Sequence, residues 1–236
     1  MRAVIRPIAA LLFLALAYPA FAQEKAADIE DEIEQSTKAA EAFSEIMSAP
    51  DKAIPKDVLD DAECVAVFPT VVKAAFVVGG RGGRGVASCR TTEGWSAPAY
   101  FNLGGGSFGF QIGVSATDLV MLFMNEEGMK SLLGSKFELG GDASVAAGPV
   151  GRQTGATTDA AMNAKILSYS RSKGVFAGVS LKGAVIEPAD DDMRDVYGES
   201  VTAKAVLSGA ELAAPLPVKA FPNALNRYST RKAATP

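Results

Sequence analysis

The chain has 236 residues, a formal net charge of −4 and no histidine. An acidic balance excludes general nucleic-acid binding, which needs surplus cations to neutralise phosphate, and the missing imidazole removes the usual base of serine and cysteine triads. With Cys64 and Cys89 as the only cysteines, a four-ligand zinc set is excluded too.

The N-terminus reads as an export leader over 1–22. Arg2 and Arg6 precede a short apolar run from Ile8 to Ala17, and Ala20-Phe21-Ala22 fits a small-x-small cleavage site, with Gln23 as the first mature residue. The run is too short for a comfortable span, which needs roughly 20 apolar residues. Losing Arg2 and Arg6 moves the net charge from −4 to −6. The expected location is the periplasm or the outer-membrane surface. In that oxidising space Cys64 and Cys89 are expected to form a disulfide, the alternative being two buried thiols.

Residues 23–63 read as a helical segment. Ile29, Ile33, Ala40, Phe43 and Met47 line one face at helical spacing, while Glu30, Asp31, Glu34, Glu41 and Glu45 occupy the other. A helix lying on anionic lipid carries Lys and Arg on its polar face, so this one is expected to dock on its own domain. A second short helix is expected around Lys56 to Ala62.

Residues 64–198 change to β texture. Strands are expected at Val65–Phe68, Val71–Val78, Val86–Arg90, Trp95–Asn102, Ser107–Val114, Asp118–Met124, Lys136–Leu139, Asp142–Ala147, Lys165–Arg171, Gly174–Leu181 and Ala184–Glu187. The glycine run from Gly79 to Gly85 reads as a flexible connection. A short helix is expected over Glu126–Leu133, and another over Asp190–Tyr197, with Asp190 or Asp191 as its cap and Gly198 as its stop. Glycines inside strands imply sharp curvature. The fold class is therefore α+β: a curved or barrel-like antiparallel sheet with an N-terminal helix and short additional helices. Residues 199–236, with Pro215, Pro217 and Pro222, read as an extended tail.

Little of this supplies chemistry. Gly80, Gly82, Gly85 and Gly104, Gly106, Gly109 both satisfy G-x-G-x-x-G, yet strands rather than helices follow them, so no nucleotide loop is expected. Ser170 near Lys173 is a conceivable Ser/Lys pair that would need a buried lysine. Asp190-Asp191-Asp192 lacks the alternation of a calcium loop. No catalytic residue, cofactor or metal is assigned. The basic residues are more suggestive: Lys73, Arg81, Arg84 and Arg90 fall in one strand-loop-strand unit, and Arg171, Lys173 and Lys182 in another, the alternative being scattered solubilising charge. Arginine beside glycine suits phosphate, and the two units meeting in space would give a local cationic patch. Arg81 and Arg84 are expected as flexible headgroup contacts, and Arg171, Lys173 and Lys182 as fixed ones.

Several long motifs stand in order: Phe76-Val77-Val78-Gly79-Gly80, Gly94-Trp95-Ser96-Ala97-Pro98, Gly109-Phe110-Gln111-Ile112-Gly113, the stretch from Gly140 to Arg152, and the stretch from Tyr169 to Leu181. In these the chain resembles the SYLF family, from about Ile29 to Gly198. The resemblance implies a lipid-binding domain; eukaryotic relatives bind phosphoinositides, yeast relatives also bind and bundle actin, and exported bacterial relatives are described as envelope lipid-binding proteins. No SH3 or FYVE module is seen beside it here. A phospholipid or membrane surface is the expected partner, cytosolic actin is not expected after export, and the oligomeric state is left open. The other reading is an envelope structural or protein-interaction module.

Overall fold

The computed structural model describes residues 29–50, 53–150, 163–172, 175–176, 181–209, 212 and 214–230. The expected leader, Lys173, and most of the strand expected at Gly174–Leu181 lie outside them.

The elements run α1 (Glu30–Met47), α2 (Lys56–Asp61), β1 (Cys64–Thr91), β2 (Gly94–Trp95), β3 (Ala99–Phe123), α3 (Glu126–Leu132), β4 (Phe137–Glu138), β5 (Val145–Ala147), β6 (Ile166–Ser172), β7 (Val175–Phe176), β8 (Val185–Pro188), α4 (Asp190–Tyr197), α5 (Ala203–Leu207), a 3-10 turn (Leu216–Lys219) and α6 (Ala220–Tyr228). One eight-stranded sheet contains every strand, in the order β2-β1-β3-β6-β5, with β8 joining β3 to β4 and β7 beside β6. All pairings are antiparallel except β5 with β6. The expected α+β class with a strongly curved sheet is what the structure has.

The curvature is carried by two very long strands. β1 has 28 residues, which fully extended would reach about 90 Å at ~3.3 Å per residue. Instead it doubles back on itself. Cys64 and Cys89 form a disulfide with their Cα atoms 4.0 Å apart, and Arg90 N donates to Glu63 O at 2.8 Å. A Cβ on Gly85 would run into the Phe68 ring, so only glycine lets the two halves of the strand approach this closely. Val71 and Gly83 also meet, and the reversal therefore lies between them. β3 follows β1 in antiparallel register from Cys64↔Phe123 to Ala87↔Ala99, with shifts between Phe68 and Val71 and between Ala75 and Val77. At the first shift Thr70 takes a φ of 57°, and its N–H donates to Asp118 Oδ1 at 3.0 Å. The expected flexible connection at Gly79–Gly85 is thus a correction: those residues are strand, because their backbone groups are satisfied by the ladder to β3.

Both faces of the curled ribbon are buried: Phe68, Phe101, Leu119, Met121 and Phe123 lie on one, and Val65, Val67 and Tyr100 on the other. α1 adds Ala39, Phe43 and Ile46 to the core, and Tyr100 Oη donates to Glu32 O of that helix at 3.2 Å. Asn125 caps α3 by accepting from Gly128 N at 2.8 Å. α4 has no side-chain cap: Ala189 precedes it, and Asp190 to Asp192 occupy its first turn instead, where the helix dipole favours them. Gly198, at φ 92°, follows it.

The C-terminal region is the second correction. Residues expected to be an extended tail form α5, which packs on β1 and β3, and the 3-10 turn and α6, which pack onto α1. Phe221 meets Phe43 edge-to-face at 6.3 Å, and Tyr228 meets Phe43 at 5.6 Å. Ser36 Oγ donates to Val218 O at 2.6 Å and accepts from Phe221 N at 3.2 Å. The prolines do not prevent this: Pro215 precedes the 3-10 turn, Pro217 lies in its first residues and Pro222 in the first turn of α6, where the backbone N–H has no helical partner to lose.

Candidate functional site

The two glycine motifs form one feature. Gly80 pairs with Gly106 and Gly82 with Gly104 across the β1–β3 ladder, so neither follows the strand-loop-helix geometry of a phosphate cradle. They lie where the ribbon turns over. The ribbon's charge is one-sided: β1 carries Lys73, Arg81, Arg84 and Arg90 with no acid, and β3 has no charged residue before Asp118.

The cations have different employment. Arg84, in β1 opposite Asn102, is a clamp. Its Nη2 lies 2.7 Å from Asp192 Oδ2 and 3.5 Å from Glu32 Oε1, and its Nη1 lies 3.7 Å from Asp31 Oδ2. Gln35 Nε2 donates to the Arg84 carbonyl at 2.6 Å. Glu32 is only 3% exposed, and burial raises its carboxyl above the usual range, against the pull of its backbone hydrogen bond and of Arg84. The side chain joins α1, α4 and the sheet, which corrects the expectation of a flexible headgroup contact.

Arg171, in β6, pairs with Asp118 Oδ2 at 3.2 Å and with Glu45 of α1. Glu32 and Glu45 are thirteen residues apart on α1, about 20 Å at 1.5 Å per residue. Arg84 and Arg171 therefore hold opposite ends of one helix and do not form a common patch. Part of the acidic face of α1 is what they grip. Arg90 is buried: it stacks over the Trp95 ring at 3.8 Å and donates through Nη2 to Leu59 O at 3.1 Å.

The other candidates lie elsewhere. Arg81 is half-buried in β1 opposite Gly105. Lys182 is exposed in the turn before β8, and Gly183 of that turn also abuts Gly105. Arg81 and Lys182 thus flank the same point of β3. Lys73 is exposed opposite Ser115, further along the ribbon. Ser170 is buried in β6, while Lys173 is outside the described residues. Asp191 and Asp192 are taken up by Arg194 and Arg84. Among the described residues no group of three or more ligating side chains is placed to hold a metal.

Sequence reasoning missed an apolar feature on the same ribbon. Val72, Ala74, Val114 and Ala116 are exposed, with Val72 at 43% and Val114 at 77%. Val72 pairs with Ala116 and Ala74 with Val114, so all four share one face. The signal was the charge-free run between Glu93 and Asp118. A cleft of about 760 Å³ is lined by Asn102, Glu187, Asp191, Arg194 and Lys204 among others.

The family described as "Ysc84: Las17-binding protein actin regulator" matches residues 104–228. "LAS seventeen-binding protein 3" of Saccharomyces cerevisiae is 41% identical over 165 residues, covering 67% of this chain and 35% of the yeast protein. "Protein YSC84" of the same yeast has the same identity and coverage. "SH3 domain-containing YSC84-like protein 1" of Homo sapiens is 34% identical over 186 residues, 77% of this chain and 54% of the human protein. The chain spans about a third to a half of the length of these relatives. The matched stretch runs from the glycines of β3 through the helices that close on α1, and the chain belongs to the Ysc84, or SYLF-domain, family.

Proposed function

We propose that this protein is a noncatalytic lipid-binding protein of the bacterial cell envelope, released by cleavage after Ala22 and acting in the periplasm or at the outer membrane. The observation that carries the reading is the pair of exposed lysines, Lys73 on the ribbon and Lys182 beside it, next to strands that hold no acid before Asp118. Anionic phosphate headgroups complement such a surface. Lys73, Arg81 and Lys182 are the contacts this reading retains, with Lys173 as a further candidate. Arg84 and Arg171 serve the fold. The resemblance to lipid-binding relatives supports the same class of ligand.

Flotation of the protein starting at Gln23 with phosphatidylglycerol-containing and phosphatidylcholine vesicles tests the proposal. Binding to the anionic vesicles that weakens as salt rises is expected. Retention on neither vesicle at low salt overturns it.

A second reading is a protein-interaction module of the envelope. The relatives are named as Las17-binding proteins and actin regulators, and between Gly105, covered by the turn before β8, and Ala116, whose carbonyl accepts from Ser172 of β6, β3 offers an edge over 106–115 with no described strand beside it, to which an extended partner segment can add. Export separates this chain from cytosolic actin. Specific capture of an envelope protein by the purified chain, with no vesicle binding, favours this reading.

A further inference from the structure

We infer that the overturned middle of the β1–β3 ribbon is an apolar wedge that enters the bilayer interface, so that the cations around it serve insertion rather than forming the whole recognition surface. The inference rests on the lipid-binding reading and assigns it a place.

Geometry makes the wedge. The disulfide and the Val71–Gly83 approach bring the two halves of β1 together, leaving the reversal, residues 72–82 with their partners in β3, as the part that turns away from them. Among the described residues only Val72, Val114, Val150 and Leu216 are large, apolar and exposed, and the first two stand together on one face with Ala74 and Ala116. The chain that continues from them through the turn reads Ala-Phe-Val-Val-Gly-Gly over 75–80 and Gly-Ser-Phe-Gly-Phe-Gln-Ile-Gly over 106–113, with no charged residue. An apolar β face such as that of Val72, Ala74, Val114 and Ala116 is an aggregation hazard in water unless something covers it.

Charge selects the occupant. Lys73 and Ser115 face opposite the apolar four, and both are exposed. A ribbon apolar on one side and lysine-bearing on the other matches the boundary between acyl chains and anionic headgroups, where the lysine stem lies along the apolar zone and its ammonium reaches phosphate. A second copy seated on the apolar four would leave Lys73 unengaged on the other face, whereas a bilayer interface engages both faces.

Two variants of the protein starting at Gln23 test this. In V72D/V114D both substitutions fall on exposed positions, so the thermal unfolding midpoint stays at the parental value. Partitioning onto mixed phosphatidylglycerol–phosphatidylethanolamine vesicles drops at least about tenfold. In V114C, Cys64 and Cys89 being paired, the single thiol carries an environment-sensitive dye. Its emission rises and shifts to the blue on vesicle addition and is quenched by nitroxides on the acyl chains, whereas a dye at E41C on the outer face of α1 does not respond. If the parent floats but V72D/V114D floats equally, or the dye at position 114 is not quenched, the wedge is wrong and headgroup binding stands. If the parent does not float on any vesicle, the lipid reading fails first and takes the wedge with it.

Discussion

The disulfide offers a direct test of the doubled-strand geometry. Cys64 and Cys89 are fully buried and separated by 25 residues. Closing a loop of that length restricts the unfolded chain by about 3.5 kcal/mol on the chain-entropy account. Their replacement in C64A/C89A removes that restriction while leaving the other contacts that fold the strand back: the Arg90–Glu63 backbone bond, the Gly85–Phe68 approach and the Arg90–Trp95 stack. The variant is therefore expected to keep the native far-ultraviolet circular dichroism spectrum. Its unfolding free energy in urea falls by about 3–4 kcal/mol with little change in slope. For a chain of this size that corresponds to a midpoint lower by about 6–16 °C. A loss below about 1 kcal/mol would mean that the two halves of β1 already stay together in the unfolded chain. Loss of the native spectrum altogether would mean that the noncovalent contacts cannot hold the reversal, and either result refutes the argument.

Phe221→Ala removes the ring that meets Phe43 edge-on and is expected to cost about 3–5 kcal/mol in urea unfolding; a cost near zero would show that α6 is not part of the cooperative unit. Arg84→Met strips the clamp from Glu32, Asp31 and Asp192. Because the guanidinium is 40% exposed, the expected loss is about 1–2 kcal/mol, and adding Glu32→Gln should recover part of it. Glu32→Gln alone tests the buried acid. Its carboxyl is raised above the ordinary 4.5, so the folded state holds that proton more tightly than the unfolded chain. The stability this contributes is full below 4.5, falls as pH rises through the folded value, and is absent above it. Glu32→Gln is therefore more stable than the parent at neutral pH, and the gap closes on acidification. Parallel urea curves across that range check the sign.

Much of the frame could be read from residue order. The spacing of Ile29, Phe43 and Met47 located α1, the short run from Glu126 to Leu133 was read as the helix that is α3, and the two cysteines anticipated their bond. The reversal of β1 was not legible, because alternation along a strand says which side chains share a face and nothing about whether residue 64 returns to residue 89. The C-terminal helices were hidden by three prolines, although Val218, Phe221 and Leu225 already stood three and four apart, the period of a helical face. Arg84 and Arg171 looked like ligands for phosphate because an arginine's partner is a matter of tertiary placement. Glu32, Glu45, Asp118 and Asp192 come from four distant parts of the sequence, and only the packing of α1 shows that the acids belonged to the arginines.

The stitching of α1 to α6 has a mechanical side. The first and last described helices lie against each other through Ser36, Phe43, Val218 and Phe221, so a flanking segment at either end emerges from the same helix pair. The far end of α6 is tied more deeply still: Ser229 accepts from Trp95 Nε1 and from Arg90 and donates to Asp60. Tension applied beyond α6 therefore passes straight into the strand that the disulfide holds, and the last helix is anchored to the centre of the molecule as well as to α1.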